Sequence, residues 1–474
     1  MTSQATSVSH ESPAGEGEDE YRILDLFAGP GGLDVAARHL GVESIGIEWD
    51  DNACETRYEA GLQTIHADVR DMRADPPDPR HQYLGGVNVL VGGPPCQTFS
   101  VAGTGSGRDA LDEVKKYLKS FVAARDDLAE LRRLDRELAQ PESTGEAGEK
   151  PDPRTGLVLE PLRWIMEAIR KGTPFKAIML EQVPTVLPVW QEYKKVLESG
   201  ELGVEYKAVC DVLNTEEFGV PQSRRRAVLI ARLGKNADVA IPEGNYLQFN
   251  PRNADIRDID AKVRYSLPID KKAEFIDGVK QKSRCVSMHE ALMDCRSRLA
   301  ESDPAFLLSP PGPTADSGFP DRCGDRFYVV SNYGTGGNPQ ARGRRSYSQP
   351  AFTVTGKIRR NLLHNSTPER FTIPEAGVLQ TFPGNYPWSG NDRAQQVGNA
   401  VPPLFAIHVL AAALGDFGKS RLPLGLKELA TWRWEKASPE RAKELKRIGR
   451  GGKSDLPPDS THIRAFRTSA AEPI

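Results

Sequence analysis

From Tyr21 onward the chain alternates short apolar runs with amphipathic stretches, and this rhythm restricts the fold more than any other feature. YRILDLFAG, ESIGIEW, QTIHAD, GVNVLVGG, FKAIMLEQV, YKAVCDVLN and RAVLIARL read as buried strands. Segments such as LDVAARHL and EPLRWIMEAIRKG lie between them and read as helices. Strand-helix alternation predicts an α/β fold with a doubly wound, mostly parallel, Rossmann-like sheet. Ligand chemistry then belongs at the carboxyl ends of the strands.

Two stretches break the rhythm. Residues 110–150 combine a charged helical run with PESTGEAGEKP and predict a solvated surface insertion ending in a flexible linker. Residues 233–365 are rich in glycine and proline and predict a second, smaller, irregular domain. The remaining divisions are an acidic, disordered tail over 1–20, a main domain over 21–232 completed by 366–414, and a basic, partly ordered extension over 415–474. The opening residues have no basic and apolar leader pattern, and no run of eighteen apolar residues suggests a membrane span. The cysteines Cys54, Cys96, Cys210, Cys285, Cys295 and Cys323 form no CxxC pair, which argues against a zinc site or a disulfide framework and predicts a reducing, cytoplasmic setting with no metal.

DLFAGPGGLD follows the first strand and opens a helix. Gly29, Gly31 and Gly32 permit a tight turn on which a ligand approaches the backbone, and amides at a helix start favour a polar group. The spacing is GxGG, not the GxGxxG of dinucleotide sites. Glu48 ends the second strand, where a carboxylate can accept both hydrogen bonds of a ribose diol. Asp68 ends the third, where it can accept from an adenine amine. Together they describe an adenosine pocket, although either acid could equally be an ordinary helix cap.

GGPPCQTFS puts Cys96 directly after two prolines at the end of the fourth strand. Proline fixes φ and removes a backbone donor, so the turn is stiff. A free cysteine is commonly a small buried hydrophobe, but this frame suits a nucleophile. Glu181, in MLEQVP, ends the fifth strand on the same rim, as a cap or as a proton donor. PQSRRRAVLI leads into the seventh strand, with Arg224 and Arg226 on one face and Arg225 on the other. Surface or phosphate pairing is the alternative use of these arginines.

In their order, DLFAGPGGLD, GGPPCQTFS, EQV, QSRRR and QVGNAVPP resemble the DNA (cytosine-5)-methyltransferases of bacterial type, over residues 21–232 and about 350–412. The resemblance implies S-adenosylmethionine as cofactor. Phe27, Gly29, Gly31, Gly32 and Leu33 would line it, Glu48 would hold the ribose, Trp49 would pack on the adenine, and Asp68 would take the adenine amine. Val69 and Pro94 would flank it, and Asn399 and Val401 would close it. Cys96 corresponds to the nucleophile, Glu181 to the acid, and Arg226, with Arg224 beside it, to the arginine on the target base. Gln182 stands where an asparagine is usual, and Pro374 where an arginine is common.

From Arg326 to Pro368 there is no acidic residue, in a chain of net charge -3. This local segregation suggests phosphate contact. The resemblance assigns 233–365 to target recognition. The DNA-contact candidates are Gln97 and Ser100 in the loop after Cys96, and Arg342, Arg344, Arg345 and Lys357. The expected partner is double-stranded DNA, met by a monomer at the bacterial nucleoid, with or without a cognate restriction endonuclease. Rival readings are a transfer-RNA cytosine methyltransferase, an inactive DNA-binding paralogue, and a nicotinamide oxidoreductase.

Overall fold

A computed structural model describes residues 21–73, 78–95, 106–139, 155–249, 282–293, 327–331, 343–364, 368–422 and 433–451, with 275–276, 279–280 and 295. The tail 1–20, most of 233–365 and the segment 96–105 that carries Cys96, Gln97 and Ser100 lie wholly or partly outside them, as do Arg342 and Cys323.

The seven predicted runs form one sheet: β1 (Arg22–Leu26), β2 (Glu43–Glu48), β3 (Thr64–His66), β4 (Val89–Gly92), β5 (Ala177–Gln182), β6 (Tyr206–Asn214) and β7 (Arg225–Leu233). Their order is β3-β2-β1-β4-β5-β7-β6. The first five are parallel, and β7 runs antiparallel to both β5 and β6. Both faces are covered, so strands such as AIMLEQ are buried at every position. The chain winds outward through β1, β2 and β3, then crosses back to β4. That reversal opens a crevice at the carboxyl ends of β1 and β4. Because β7 is inverted, its first residues sit on the same rim as the last residues of β5, with Ala227 opposite Gln182.

One face carries α1 (Gly32–His39) and the helix Pro403–Leu414, whose residues are all buried. With the preceding helix Arg393–Asn399 it makes a span, Arg393–Leu414, long and apolar enough to cross a membrane, but 94% of the most apolar stretch of that span is packed inside the protein. The other face carries α3 (Ser106–Ala123), α4 (Leu128–Ala139), α5 (Glu160–Arg170) and α6 (Leu187–Ser199).

The insertion differs from the surface feature expected. Val114, Leu118, Phe121 and Val122 on α3, and Leu131 and Leu134 on α4, join the main core. Their three- and four-residue spacing builds one apolar stripe beneath the charged faces. Asp135 then bridges Arg73 at 3.2 Å and Arg163 at 3.0 Å, and Arg73 also meets Glu160 at 3.2 Å.

In the second domain, residues 344–346, 328–330, 362–364 and 368–369 form an antiparallel sheet in that order. Its core runs past the expected boundary at 365, taking in Phe371, Ile373, Ala376, Leu379 and Val397. Part of the extension is built into the fold: Trp434 is buried, and a helix at Pro439–Gly449 lies against β3 and α2 (Asp51–Glu59).

Candidate active site

The turn after β1 is built from unusual backbone. Gly29 has φ 53° and Gly31 φ 104°, and Phe27, an aromatic residue, sits at φ 62°. Positive φ in a side-chain-bearing residue is strained and marks functional turns. A Cβ on Gly31 would come 2.3 Å from Leu62, and one on Gly32 would come 2.2 Å from the Val401 carbonyl. The second contact explains why the chain returns from so far away, since Val401 closes directly on the first glycine turn. Above Gly29 nothing lies within 4 Å of a Cβ position, so that side is open to a ligand.

Glu48 stitches the turn to its neighbour. Its carboxylate accepts from the amides of Gly29 (2.7 Å), Trp49 (2.8 Å) and Asp50 (2.8 Å). Burial pushes its pKa up, and these backbone bonds oppose the shift. A carboxylate offers about four acceptor positions, so one remains beyond these three bonds. Beside it the Trp49 indole is 74% exposed, an unusual state for tryptophan, and presents a flat apolar face. Asp68, two residues beyond β3, accepts from the Arg70 amide at 2.8 Å and from its guanidinium at 2.6 Å. Burial raises its pKa, but the Arg70 bonds outweigh that and hold it low. Val69 and Leu33 are buried in the two flanking cores, and Asn399 is exposed with its amide oxygen bonded to Gln395. The open side of the glycine turn, a buried carboxylate with one acceptor position left and the exposed indole fit S-adenosylmethionine.

Residues that sequence reading passed over lie underneath. Arg57 and Asp34 form a fully buried pair at 2.6 Å, and Arg57 also reaches the Ala28 carbonyl. Asp25, the last but one residue of β1, is fully buried with neither carboxyl oxygen hydrogen-bonded. Burial first, and the nearby Asp34 second, raise its pKa well above the ordinary range and favour the neutral acid. Asp25 and Asp34 are the acids that bracket the glycine motif, and that placement was the available signal.

On the adjoining rim, β4 leads into Gly93, Pro94 and Pro95. A Cβ on Gly93 would lie 3.6 Å from Glu181 Oε2, which sets the stem of the Cys96 segment against this acid. The Gln182 amide donates to the Pro94 carbonyl, tying that stem to β5. The departure from asparagine therefore carries a contact of its own. Glu181 is 5% exposed, and Arg226 Nε approaches its Oε1 to 2.6 Å. That approach is a charge pair outside hydrogen-bond geometry, so the buried Oε1 accepts no hydrogen bond from the protein.

Arg224 is placed differently from Arg226. It is buried and donates to the carbonyls of Val354 (2.8 Å), Gly398 (3.1 Å) and Ala400 (3.4 Å). Gln222 joins the same knot, donating to Leu379 and Gln380 and accepting from the Val354 amide. The catalytic expectation for Arg224 is thus replaced by a joining one, because its guanidinium is committed to backbone carbonyls.

Arg345 also departs from its expected role. It donates to Ser223 Oγ (2.6 Å) and the carbonyls of Pro350 (3.0 Å) and Ala351, between the rings of Phe249 (4.7 Å) and Phe352 (4.3 Å). Burial lowers its pKa to about 10. It is an internal pin and not a DNA contact. Arg344, next to the Tyr328 ring, and Lys357 are exposed.

A sequence profile described as C-5 cytosine-specific DNA methylase matches residues 21–116 and 143–414. The gap at 117–142 falls on the end of α3 and on α4. A type II methyltransferase of Haemophilus parahaemolyticus, M1.HphI, is 25% identical over 399 residues, covering 82% of this chain and 86% of the relative. Another from Desulfomicrobium norvegicum, M.DdeI, is 25% identical over 412 residues, covering 81% and 86%. Among solved structures, a DNA modification methyltransferase encoded in an E. coli prophage aligns over 85% of this chain, at 17% identity and TM-score 0.42. With the profile spanning both the glycine turn and the Val401 closure that packs on it, the chain belongs to the C-5 cytosine-specific DNA methylase family and is a DNA (cytosine-5)-methyltransferase.

Proposed function

We propose that the rim formed by β4, β5 and β7 takes a cytosine extruded from duplex DNA, and that Cys96 is the nucleophile. The observation that carries this reading is Glu181: a buried carboxylate with one oxygen accepting no hydrogen bond, 2.6 Å from Arg226, against the stem of the Cys96 segment. An orphaned buried acceptor is costly, and a flipped base supplies the missing donor.

Attack of the Cys96 thiolate at carbon 6 breaks the 5,6 double bond and makes carbon 5 nucleophilic. The exocyclic amine of the base donates to Glu181 Oε1, and Glu181, entering the step as the protonated acid, draws the electron pair across by donating from its other oxygen to ring nitrogen 3. Arg226 stabilises charge on the carbonyl oxygen. S-adenosylmethionine supplies the electrophilic methyl group. Loss of the carbon-5 proton to a base then restores the double bond as the thiolate leaves. Phe27, Gly29, Gly31, Gly32, Leu33, Glu48, Trp49, Asp68, Val69, Pro94, Asn399 and Val401 hold the cofactor in this reading. Arg342, Arg344 and Lys357 contact phosphates, and Gln97 and Ser100 also bind the DNA. The enzyme works as a monomer within the cytoplasm, where a restriction endonuclease of the same target site is the natural partner.

The test is a duplex containing 5-fluorocytosine at the target position. Fluorine cannot leave as a cation, so the adduct persists. A covalent complex mapping to residue 96, absent in Cys96→Ser, is expected. Turnover by Cys96→Ser, or preferential labelling of transfer RNA over duplex DNA, would overturn the reading.

A further inference from the structure

The extension beyond 414 lies outside the family match, yet it is bonded to both sides of the adenosine pocket. Trp434 is 2% exposed. Its indole N–H donates to the Ala60 carbonyl at 3.0 Å, and its backbone makes a reciprocal pair with the Asn385 side chain, each bond 2.9 Å. Its ring meets Tyr386 edge-on, with centroids 5.3 Å apart, and Arg38 lies over it at 4.7 Å. Tyr386 in turn donates its hydroxyl to the Pro30 carbonyl at 2.6 Å, in the centre of the glycine turn. Phe382 and Trp388 complete the aromatic packing around Tyr386 at 4.8 and 5.0 Å.

The following helix braces the other side. Leu445 packs on Cys54 and Tyr58 of α2. Lys446 pairs with Glu55 at 2.6 Å, and Arg450 with Asp51 at 3.3 Å. Asp51 is the first residue of α2, directly after Glu48, Trp49 and Asp50. Arg80 joins the helix end to β3, donating to the carbonyls of Gly449 (2.9 Å) and His66 (2.7 Å). The His66 ring then lies 3.1 Å from the Trp49 carbonyl. The segment thus touches the supports of the glycine turn and of the indole platform.

We propose that residues 433–450 form a built-in brace of the cofactor pocket, and that Trp434 is a positioning residue acting through Tyr386 on the Pro30 carbonyl. This rests on the cofactor reading above. The left-handed backbone of Phe27 at φ 62° calls for such a support, because a side-chain-bearing residue in a sparsely populated conformation holds its shape only when its surroundings fix it.

The test is calorimetric binding of S-adenosylhomocysteine to the full chain. Tyr386→Phe, which removes one hydroxyl, is expected to weaken binding about fivefold, the equivalent of one hydrogen bond. Trp434→Leu is expected to weaken it about tenfold, to raise the cofactor KM in step, and to leave kcat and duplex-DNA affinity within about twofold. Trp434→Phe, which keeps a ring against Tyr386, should restore most of the affinity. In the Tyr386→Phe background Trp434→Leu should add only about twofold and not the tenfold of independent sites, since the two act along one path. Unchanged affinity in Tyr386→Phe, full additivity of the pair, or loss of DNA affinity equal to that of cofactor would overturn the proposal. Should Trp434→Leu fail to fold, Tyr386→Phe decides alone. Absence of binding by the unsubstituted chain would instead refute the cofactor reading itself.

Discussion

Arg345 is held internally whereas Arg344 and Lys357 are exposed, and Arg345→Met tests the difference. Methionine keeps much of the aliphatic volume and removes the guanidinium. Three charge-assisted hydrogen bonds and two ring contacts are lost, together about 5 kcal/mol. Burial of the charge, which takes the pKa from 12.5 to about 10, returns about 3 kcal/mol of that when the charge is removed. The net loss is about 2 kcal/mol, or roughly 4–8 °C in Tm for a domain of this size. The assay pairs thermal unfolding with the salt dependence of duplex binding. Each phosphate contact contributes about 0.9 to the slope of log Kobs against log salt. Arg345→Met should lower Tm and leave the slope alone, whereas Arg344→Ala and Lys357→Ala should each reduce the slope by about 0.9 and leave Tm alone. A slope reduction in Arg345→Met with an unchanged Tm would refute the internal-pin assignment.

Two further substitutions probe groups at the joints. Glu216, buried at the turn before the Gln222–Arg224 knot, has its pKa raised to about 7, mainly by burial. A folded-state pKa above the unfolded value means stability is fully present below about pH 4.5 and is lost as pH rises through about 7. Glu216→Gln should therefore raise Tm at pH 8 and change it little at pH 4.5; an equal effect at both would refute the assignment. Asp135→Asn removes the carboxylate shared by Arg73 and Arg163, and at 28% side-chain exposure should cost about 2 kcal/mol in urea unfolding. Burial raises the Asp135 pKa, but the two arginines outweigh it and hold it below the ordinary range. Its contribution is present above the unfolded value of about 4 and is lost as pH falls through the depressed one, so wild type and variant should converge in acid. A constant difference down to pH 2 would show that Asp135 acts by packing instead.

The sheet and the cofactor crevice were legible because their constraints are local. Buried parallel strands must be apolar throughout, and a turn with φ above zero must be glycine or strained, so IMLEQV and FAGPGG announce themselves. The insertion is legible in the spacing of its apolar residues and masked by its charge. Val114, Leu118, Phe121 and Val122 fall on one helical stripe, while the charges that dominate the composition occupy the remaining faces. In the same way, consecutive residues of a strand point to opposite sides, so Arg344 and Arg345 were never both available to DNA.

Other assignments could not be local. Arg224 and Arg226 share a face by period-two alternation, yet one joins backbone segments and the other meets Glu181. Their difference is set by partners 130 and 174 residues away, at Val354 and Gly398. The same holds for Trp434, whose importance depends on Tyr386 and Pro30 and is invisible in the tail's basic composition. A motif fixes which groups are present at the site. How firmly they are held depends on residues whose only sequence signature is an isolated aromatic or arginine. Cofactor affinity and base chemistry should therefore respond to different substitutions in this chain: the first to the aromatic column behind Pro30, the second to the Glu181–Arg226 pair.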